Sequence, residues 1–500
     1  MTNEFDRMGC RIEREPIEHV GDGNINTDGI SVGSIQVPTN GKPIIMLSDR
    51  QSTGGYAKIG TVISVDLAKI AQAQPGQKVR FMINKKRSGR AEGRLLEVLE
   101  KSPLETREPA CQEFPACGGC MYQTMSYEAQ KEMKERQVRE LLDGAVRESM
   151  DKIGKNSDET EETEDTDKLY HWDGIYGSPI EFGYRNKMEF AFGVSGDGGK
   201  ALGLRERGSR NIVGVTGCLL QTPLTMRVLE AVRMLSNGAF HDLDGRFLVV
   251  REPNAGGCFV ELIVGAGGSL EAGERFAEAL RAEIPEVTGF ALSERLAPSD
   301  VAYGERALYA DGRLEERIGD VRLQMGHNAF FQVNTPAAEL LYAEAARFAA
   351  LGELPDPVLW DVYGGVGSIG LYMGRNARVV GIEEMPGAVR YARGNAKALG
   401  RKAYKVEQGD AKSVLGRLVK LGPKPDVVVV DPPRAGIDAK VAQQLAEAAP
   451  LRLIYVSCNP ATLARDVARL APAFRLKAAR PVDLFPQTPH VETVALLERA

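Results

Sequence analysis

The chain has 500 residues, 43% hydrophobic and 26% charged, a globular composition with room for two or three domains. No apolar run approaches the roughly 18 residues of a membrane span, and the start MTNEFDRMGC lacks a secretory apolar stretch; a cytoplasmic protein without membrane contact is expected. Seven cysteines are too few for a disulfide scaffold, and a net charge of −5 argues, as a whole-chain average, against a nucleic-acid partner.

In chain order, residues 1–41 are polar and aperiodic, which predicts a disordered extension. Over residues 42–107, short alternating runs such as YAKIGTVISV and QKVRFMIN are broken by Gly and Pro, the pattern of a small β-barrel. Thirteen Lys and Arg stand against six acids there, so the average charge conceals a basic module suited to RNA. A central region, 108–325, holds Cys111, Cys117 and Cys120, a helix expected over Ser126–Leu142, and mixed strands and helices. It also contains an acidic insertion at 157–167, SDETEETEDTD, with seven carboxylates and no apolar residue.

Residues 326–500 alternate aliphatic strands (VLWDVY, ARVVGIEE, AYKVEQGD, PDVVVVDPP, RLIYVSC) with amphipathic helices (AVRYARGNAKALG, KSVLGRLVKLG, AKVAQQLAEAA, TLARDVARL). That order predicts an α/β fold with a parallel sheet covered on both faces and ligands beyond the carboxyl ends of its strands.

The first of these strands closes on DVYGGVGS. Gly364, Gly365 and Gly367 allow a tight turn and a close ligand approach. The second strand ends at Glu383, placed for ribose hydroxyls, and the third at Asp410, in reach of an adenine edge. The turn has neither G-x-G-x-x-G nor a P-loop lysine. S-adenosylmethionine, which carries no phosphate, therefore fits better than a dinucleotide.

Val427–Val430 run into Asp431-Pro432-Pro433-Arg434, where the prolines stiffen the strand exit and fix the Asp431 carboxylate over the crevice. Cys458, in YVSCNP, ends the next strand just before a helix, a setting that favours thiolate. A strand terminator and a buried structural cysteine are the plainer alternatives. Carbon methylation of a pyrimidine gives such a cysteine a task. C5 of uracil is a poor nucleophile until a thiolate adds to C6 and places negative charge on C5 and O4. A base must then remove the C5 proton, and Glu492, in PHVET, is the preferred candidate ahead of His490.

Cys111-x5-Cys117-Gly-Gly-Cys120, with Cys218 as the most economical fourth ligand, suits zinc or a [4Fe–4S] cluster. Four thiolates leave no open iron, so a structural or RNA-organising site is expected. Cys10 and Cys258 have no partner motif.

Taken together, FFQVN (330–334), DVYGGVGSIG (361–370), GIEEM (381–385), DPPRAG (431–436), VSCNPATLARD (456–466) and PHVETVALLER (489–499) resemble the RNA uracil-5-methyltransferase family. The match is closest to its iron–sulfur 23S ribosomal RNA branch. The resemblance implies a Rossmann-like class I S-adenosylmethionine methyltransferase domain (326–500), an N-terminal OB-like barrel of the TRAM type (42–107) and a mixed α+β iron–sulfur domain (108–325). It assigns Cys458 as nucleophile, Glu492 as proton acceptor, Gln332, Tyr363, Glu383 and Asp431 as cofactor contacts, and Cys111, Cys117, Cys120 and Cys218 as [4Fe–4S] ligands. The implied substrate is a uridine of 23S ribosomal RNA, with transfer RNA as the alternative, acted on by a monomer. Gly364 departs from the family, which often has Cys or Ser there. Cytosine-5 methylation and an iron–sulfur RNA chaperone with a decayed site are the competing readings. The first lacks its proline-cysteine motif, and the second is opposed by the intact Cys458, Glu492 and glycine turn.

Overall fold

A computed structural model describes residues 102–154 and 169–500, except 208, 266–267 and 298–300, together with 9–12, 24–29, 34–38, 40–46, 53–62, 70, 79–87 and 90–98. The acidic insertion lies outside the described residues. The chain divides into two units, one of residues 1–108 with 124–126 and one of residues 109–123 with 127–500.

In the first unit, described strands pair in the order Gly9–Arg11, Ile44–Met46, Ser34–Val37, Thr53–Val62, Arg90–Val98 and Val79–Arg87, with Asn24–Gly29 also on Thr53–Val62. Of residues 1–41, expected as a disordered extension, only 9–12, 24–29, 34–38 and 40–41 are described. Three of these segments are strands, hydrogen-bonded to Ile44–Met46 and Thr53–Val62. A segment such as NINTDG has no apolar alternation of its own, so its ladder comes from the partner strand and is invisible to periodicity.

The second unit is built on the aliphatic runs of the last third. They form β1 (Val358–Val362), β2 (Arg378–Glu383), β3 (Tyr404–Gln408), β4 (Val427–Val430), β5 (Arg452–Ser457), β6 (Phe474–Val482) and β7 (Glu492–Arg499), in the spatial order 3-2-1-4-5-7-6. Strands β1–β5 are parallel, and β7 runs antiparallel between β5 and β6. Helices follow each of the first five: α1 (Ser368–Met373), α2 (Pro386–Ala398), α3 (Ala411–Leu421), α4 (Ala439–Ala448) and α5 (Pro460–Leu470).

Both faces of this sheet are covered, which is why its strands read as continuous aliphatic runs. Val428 and Val430 join one core with Trp360 and Leu453, while Val427 and Val429 join another with Leu359 and Ile454. Each fully buried Val or Leu contributes roughly 1.5–3 kcal/mol. The first core also takes Val138, Leu142 and Ala145 from the helix Tyr127–Gly154, which runs well past the expected end at Leu142. The second takes the helix Thr335–Ala349 and the hairpin Leu314–Ile318/Val321–Met325. The short strand His171–Trp172 extends the sheet beyond β6.

The rest of the central region is a separate seven-stranded sheet, from Ile212–Val213 to Arg306–Asp311, carrying the helices Pro223–Asn237 and Leu270–Glu283. Central and C-terminal regions thus interlock within one unit. Among the described residues no helix is long and apolar enough to cross a membrane.

Candidate active site

The glycine turn follows β1. Tyr363, Gly365 and Gly367 all have positive φ, at 66°, 55° and 88°, a backbone that glycine adopts freely and tyrosine only under constraint. Glu383, at the end of β2, ties the turn down: its carboxylate accepts from the Gly365 N–H at 3.0 Å and from the Met385 N–H at 2.7 Å. Asp410 is exposed and caps α3; hydrogen bonds from the Ser413 side chain and from its N–H, the latter at 3.0 Å, lower its pKa. The structure thus gives this predicted adenine contact a helix-capping role as well.

Two residues that sequence reasoning missed support the turn. Asp361 is buried at the end of β1 and accepts from the Gly370 N–H at 3.0 Å. Tyr404, on β3, reaches the same carboxyl with its hydroxyl. That hydroxyl lies 2.9 Å from where a Cβ would stand on Gly367 or Gly381, so both positions must be glycine for Tyr404 to fit. Burial, with Glu383 nearby, pushes Asp361 up to about 7. The DVYGGVG motif exposes Asp361 to inspection, but no local signal announces Tyr404.

Cys458 and Glu492 meet through strand register. Ser457, the last residue of β5, pairs with Thr493 on antiparallel β7, so the next step along each strand sets Cys458 against Glu492. Asp431 leaves β4, the other neighbour of β5, at the same end. Glu492 is 3% exposed, and its Oε2 has no hydrogen-bond partner. Burial and the Asp431 charge push it up to about 8, opposed by Arg434. Asp431 is raised to about 7 by burial and Asp361. Cys458 is raised to about 11 by burial, Glu492 and Asp431, again opposed by Arg434. Burial and carboxylates thus outweigh the thiolate-favouring setting expected from the sequence. The buried Tyr342, on Thr335–Ala349, faces Asp431, Asp361 and Glu492 and donates to the Ser368 hydroxyl at 3.2 Å. His490, lowered to about 4 by burial and by Arg434, Lys134 and Arg185, is neutral near pH 7.

Gln332 is buried two residues before Asn334, whose side chain caps the same helix by accepting from the Ala337 N–H. Asn186 fixes its main chain, donating from Nδ2 to the Gln332 carbonyl at 3.0 Å and from N–H to the Val333 carbonyl at 2.8 Å.

Cys111, Cys117, Cys120 and Cys218 line one cavity with Gln123, Leu204 and Leu220. The loop is pinned to the central sheet by the Gly118 N–H on the Arg205 carbonyl at 2.9 Å. Donors face three of the sulfurs: the Gly119 N–H on Cys117, the Gln123 side chain on Cys120 and the Leu220 N–H on Cys218. Burial raises Cys120 to about 12 and Cys218 to about 11. Among the described residues no group of three or more His, Cys, Asp or Glu is arranged to hold a metal ion. Cys258 is fully buried in the central core.

The family model for tRNA (uracil-5-)-methyltransferase matches residues 423–500, one for a precorrin methyltransferase domain matches 342–458, and one for a carboxyltransferase domain, subdomain A and B, matches 1–83. An uncharacterised RNA methyltransferase from Nitratidesulfovibrio vulgaris is 40% identical over 477 residues, covering 92% of this chain and 96% of its own. Another, from Caldanaerobacter subterraneus, is 34% identical over 443 residues, covering 85% and 92%. The crystal structure of Pyrococcus abyssi tRNA (uracil-54, C5)-methyltransferase in complex with S-adenosyl-L-homocysteine superposes with a TM-score of 0.63 at 24% identity, over 88% of this chain and 97% of that one; the likeness fixes the fold. The chain belongs to the family of these RNA methyltransferases and is itself an RNA methyltransferase.

Proposed function

We propose that the enzyme methylates C5 of a uridine in 23S ribosomal RNA through a covalent adduct on Cys458. The observation that carries this reading is the β5–β7 register, which faces a cysteine with a buried carboxyl group whose Oε2 has no hydrogen-bond partner. The uridine must leave its stack to reach a strand end inside the sheet crevice. Cys458 sulfur, as thiolate, adds to C6, and the ring's electron pair moves onto C5 and O4. C5 then displaces methyl from the sulfonium, releasing S-adenosylhomocysteine and leaving C5 with both hydrogen and methyl. The Glu492 carboxylate takes that proton, the C5–H pair restores the C5–C6 double bond, and the C6–S bond breaks to return the thiolate. Burial that raises Glu492 also makes its carboxylate the stronger base.

The cofactor is assigned to Gln332, Tyr363, Gly365, Gly367, Glu383, Asp410 and Asp431. The carboxylates at β2, β3 and β4 suit its ribose, adenine and cationic end. Residues 42–107 are assigned as the TRAM-like RNA-binding module, with the acidic insertion apart from it. The four cysteines are assigned a [4Fe–4S] cluster within 108–325. The support for this is one cavity lined by all four thiols with N–H donors facing the sulfurs, which stabilise thiolate ligands. The cluster, when bound, supplies structural cross-linking of the loop, and no step of methyl transfer passes through it.

Transfer RNA is the second reading, favoured by the family model over residues 423–500. Mass-spectrometric mapping of 5-methyluridine in both RNAs, with and without the gene, separates the two. Loss of one 23S residue is expected, and loss confined to transfer RNA would reassign the substrate.

A further inference from the structure

Strand β7, which begins at Glu492, is entered through residues 483–491, and this segment is gripped from outside the crevice. Gln487 is the centre of the grip. It is 3% exposed with φ at 69°, a left-handed backbone that a non-glycine residue keeps only when its surroundings enforce it. The Gln487 N–H donates to Gln130 Oε1 at 2.9 Å, and Gln130 Nε2 donates to Gln487 Oε1 at 3.1 Å and to the Tyr122 carbonyl at 3.2 Å. Gln130 is fully buried. The Gln487 carbonyl accepts from the Met121 N–H at 2.8 Å and the Tyr122 N–H at 3.1 Å, directly after Cys120. One turn along the same helix, Lys134 holds Asp483 at 2.7 Å and donates to the Phe485 carbonyl at 3.0 Å, with both charges buried.

We infer that Gln487 and Gln130 are positioning residues for the proton-removal step, and that through them the four-cysteine loop supports the strand bearing the base. The inference rests on the reading of Glu492 as that base. Neither glutamine takes part in methyl transfer; the sheet holds the start of β7 through Ser457–Thr493 and Val482–Glu492 pairing, and the grip on residues 483–491 is what fixes it from outside the sheet. A carboxylate displaced by about 1 Å loses up to about 100-fold in rate. The loss falls after methyl transfer, where the C5 proton remains, the double bond cannot re-form and the C6–S bond persists.

The test uses full-length protein, RNA and methyl-labelled S-adenosylmethionine, with Gln130→Ala, Gln487→Gly and Glu492→Gln side by side. Gln487→Gly keeps the left-handed backbone and supplies the result should Gln130→Ala fail to fold. The expected outcome is a turnover loss of about 10-fold or more, an unchanged KM for S-adenosylmethionine, and a methyl-labelled RNA–protein adduct that survives SDS, as in Glu492→Gln. Gln130→Glu, which keeps the acceptor for the Gln487 N–H, recovers part of the turnover. Wild-type turnover in the folded variants overturns the inference, as does lost turnover without adduct while Glu492→Gln accumulates it. If Glu492→Gln forms no adduct, the assignment of the base is what fails.

Discussion

At the residue scale the site is governed by a few buried ionisable groups whose neutral forms are favoured together. Glu492 is raised to about 8 and Cys458 to about 11, and the two carboxyls at 361 and 431 to about 7. Raised groups hold their protons at neutral pH, while the proposed nucleophile and base must both be deprotonated to work, so kcat/KM rises as pH climbs through about 8 and goes on rising towards about 11. Arg434 lowers both Cys458 and Glu492. Arg434→Ala therefore moves the rising limb to higher pH and reduces the rate at pH 7 by several-fold, about the effect of half a pKa unit or more. A pH–rate profile with each substrate varied in turn checks this, and a flat profile or an unmoved limb contradicts it. Cys458, Asp431, Glu383 and the glycines were readable as candidates because each lies at or just past the carboxyl end of a strand in a recognisable motif, and Glu492 because it opens the last strand in another. Gln332 was legible only through family resemblance. Tyr404, Tyr342 and Gln487 were not, because their significance lies in partners distant in sequence.

At the element scale, strand order carries the chemistry. Parallel strands β1–β5 deliver their carboxyl ends to one edge, and antiparallel β7 delivers its amino end there too, so Glu492 arrives opposite Cys458. Continuous aliphatic runs made β1, β2, β4 and β5 readable. The strands within 1–41 were not readable, since their pairing is decided by neighbours. The cysteine loop is an element with its own prediction. Protein purified without oxygen should contain about four iron and four sulfide per chain, as one cubane with four thiolate ligands requires, and Cys218→Ala should lose most of both. Stoichiometric zinc without iron, by elemental analysis, contradicts the cluster.

For the whole molecule, the whole-chain charge of −5 proved a poor guide to the partner. Seven carboxylates in residues 157–167 offset the basic excess of residues 42–107, and relatives covering 92% of the chain are RNA methyltransferases. The central region, expected as a domain apart, instead lends a helix, a hairpin and an edge strand to the methyltransferase core. That interlocking sets the cysteine loop against segment 483–491, which leads into Glu492. The central claim is the covalent route through Cys458 and Glu492, and it is tested most directly by mixing Glu492→Gln with substrate RNA and methyl-labelled S-adenosylmethionine and resolving the products under denaturing conditions. A labelled RNA–protein adduct that disappears in Cys458→Ala/Glu492→Gln is the predicted result, whereas methylated RNA released at the wild-type rate by either single variant, Cys458→Ala or Glu492→Gln, would contradict the account.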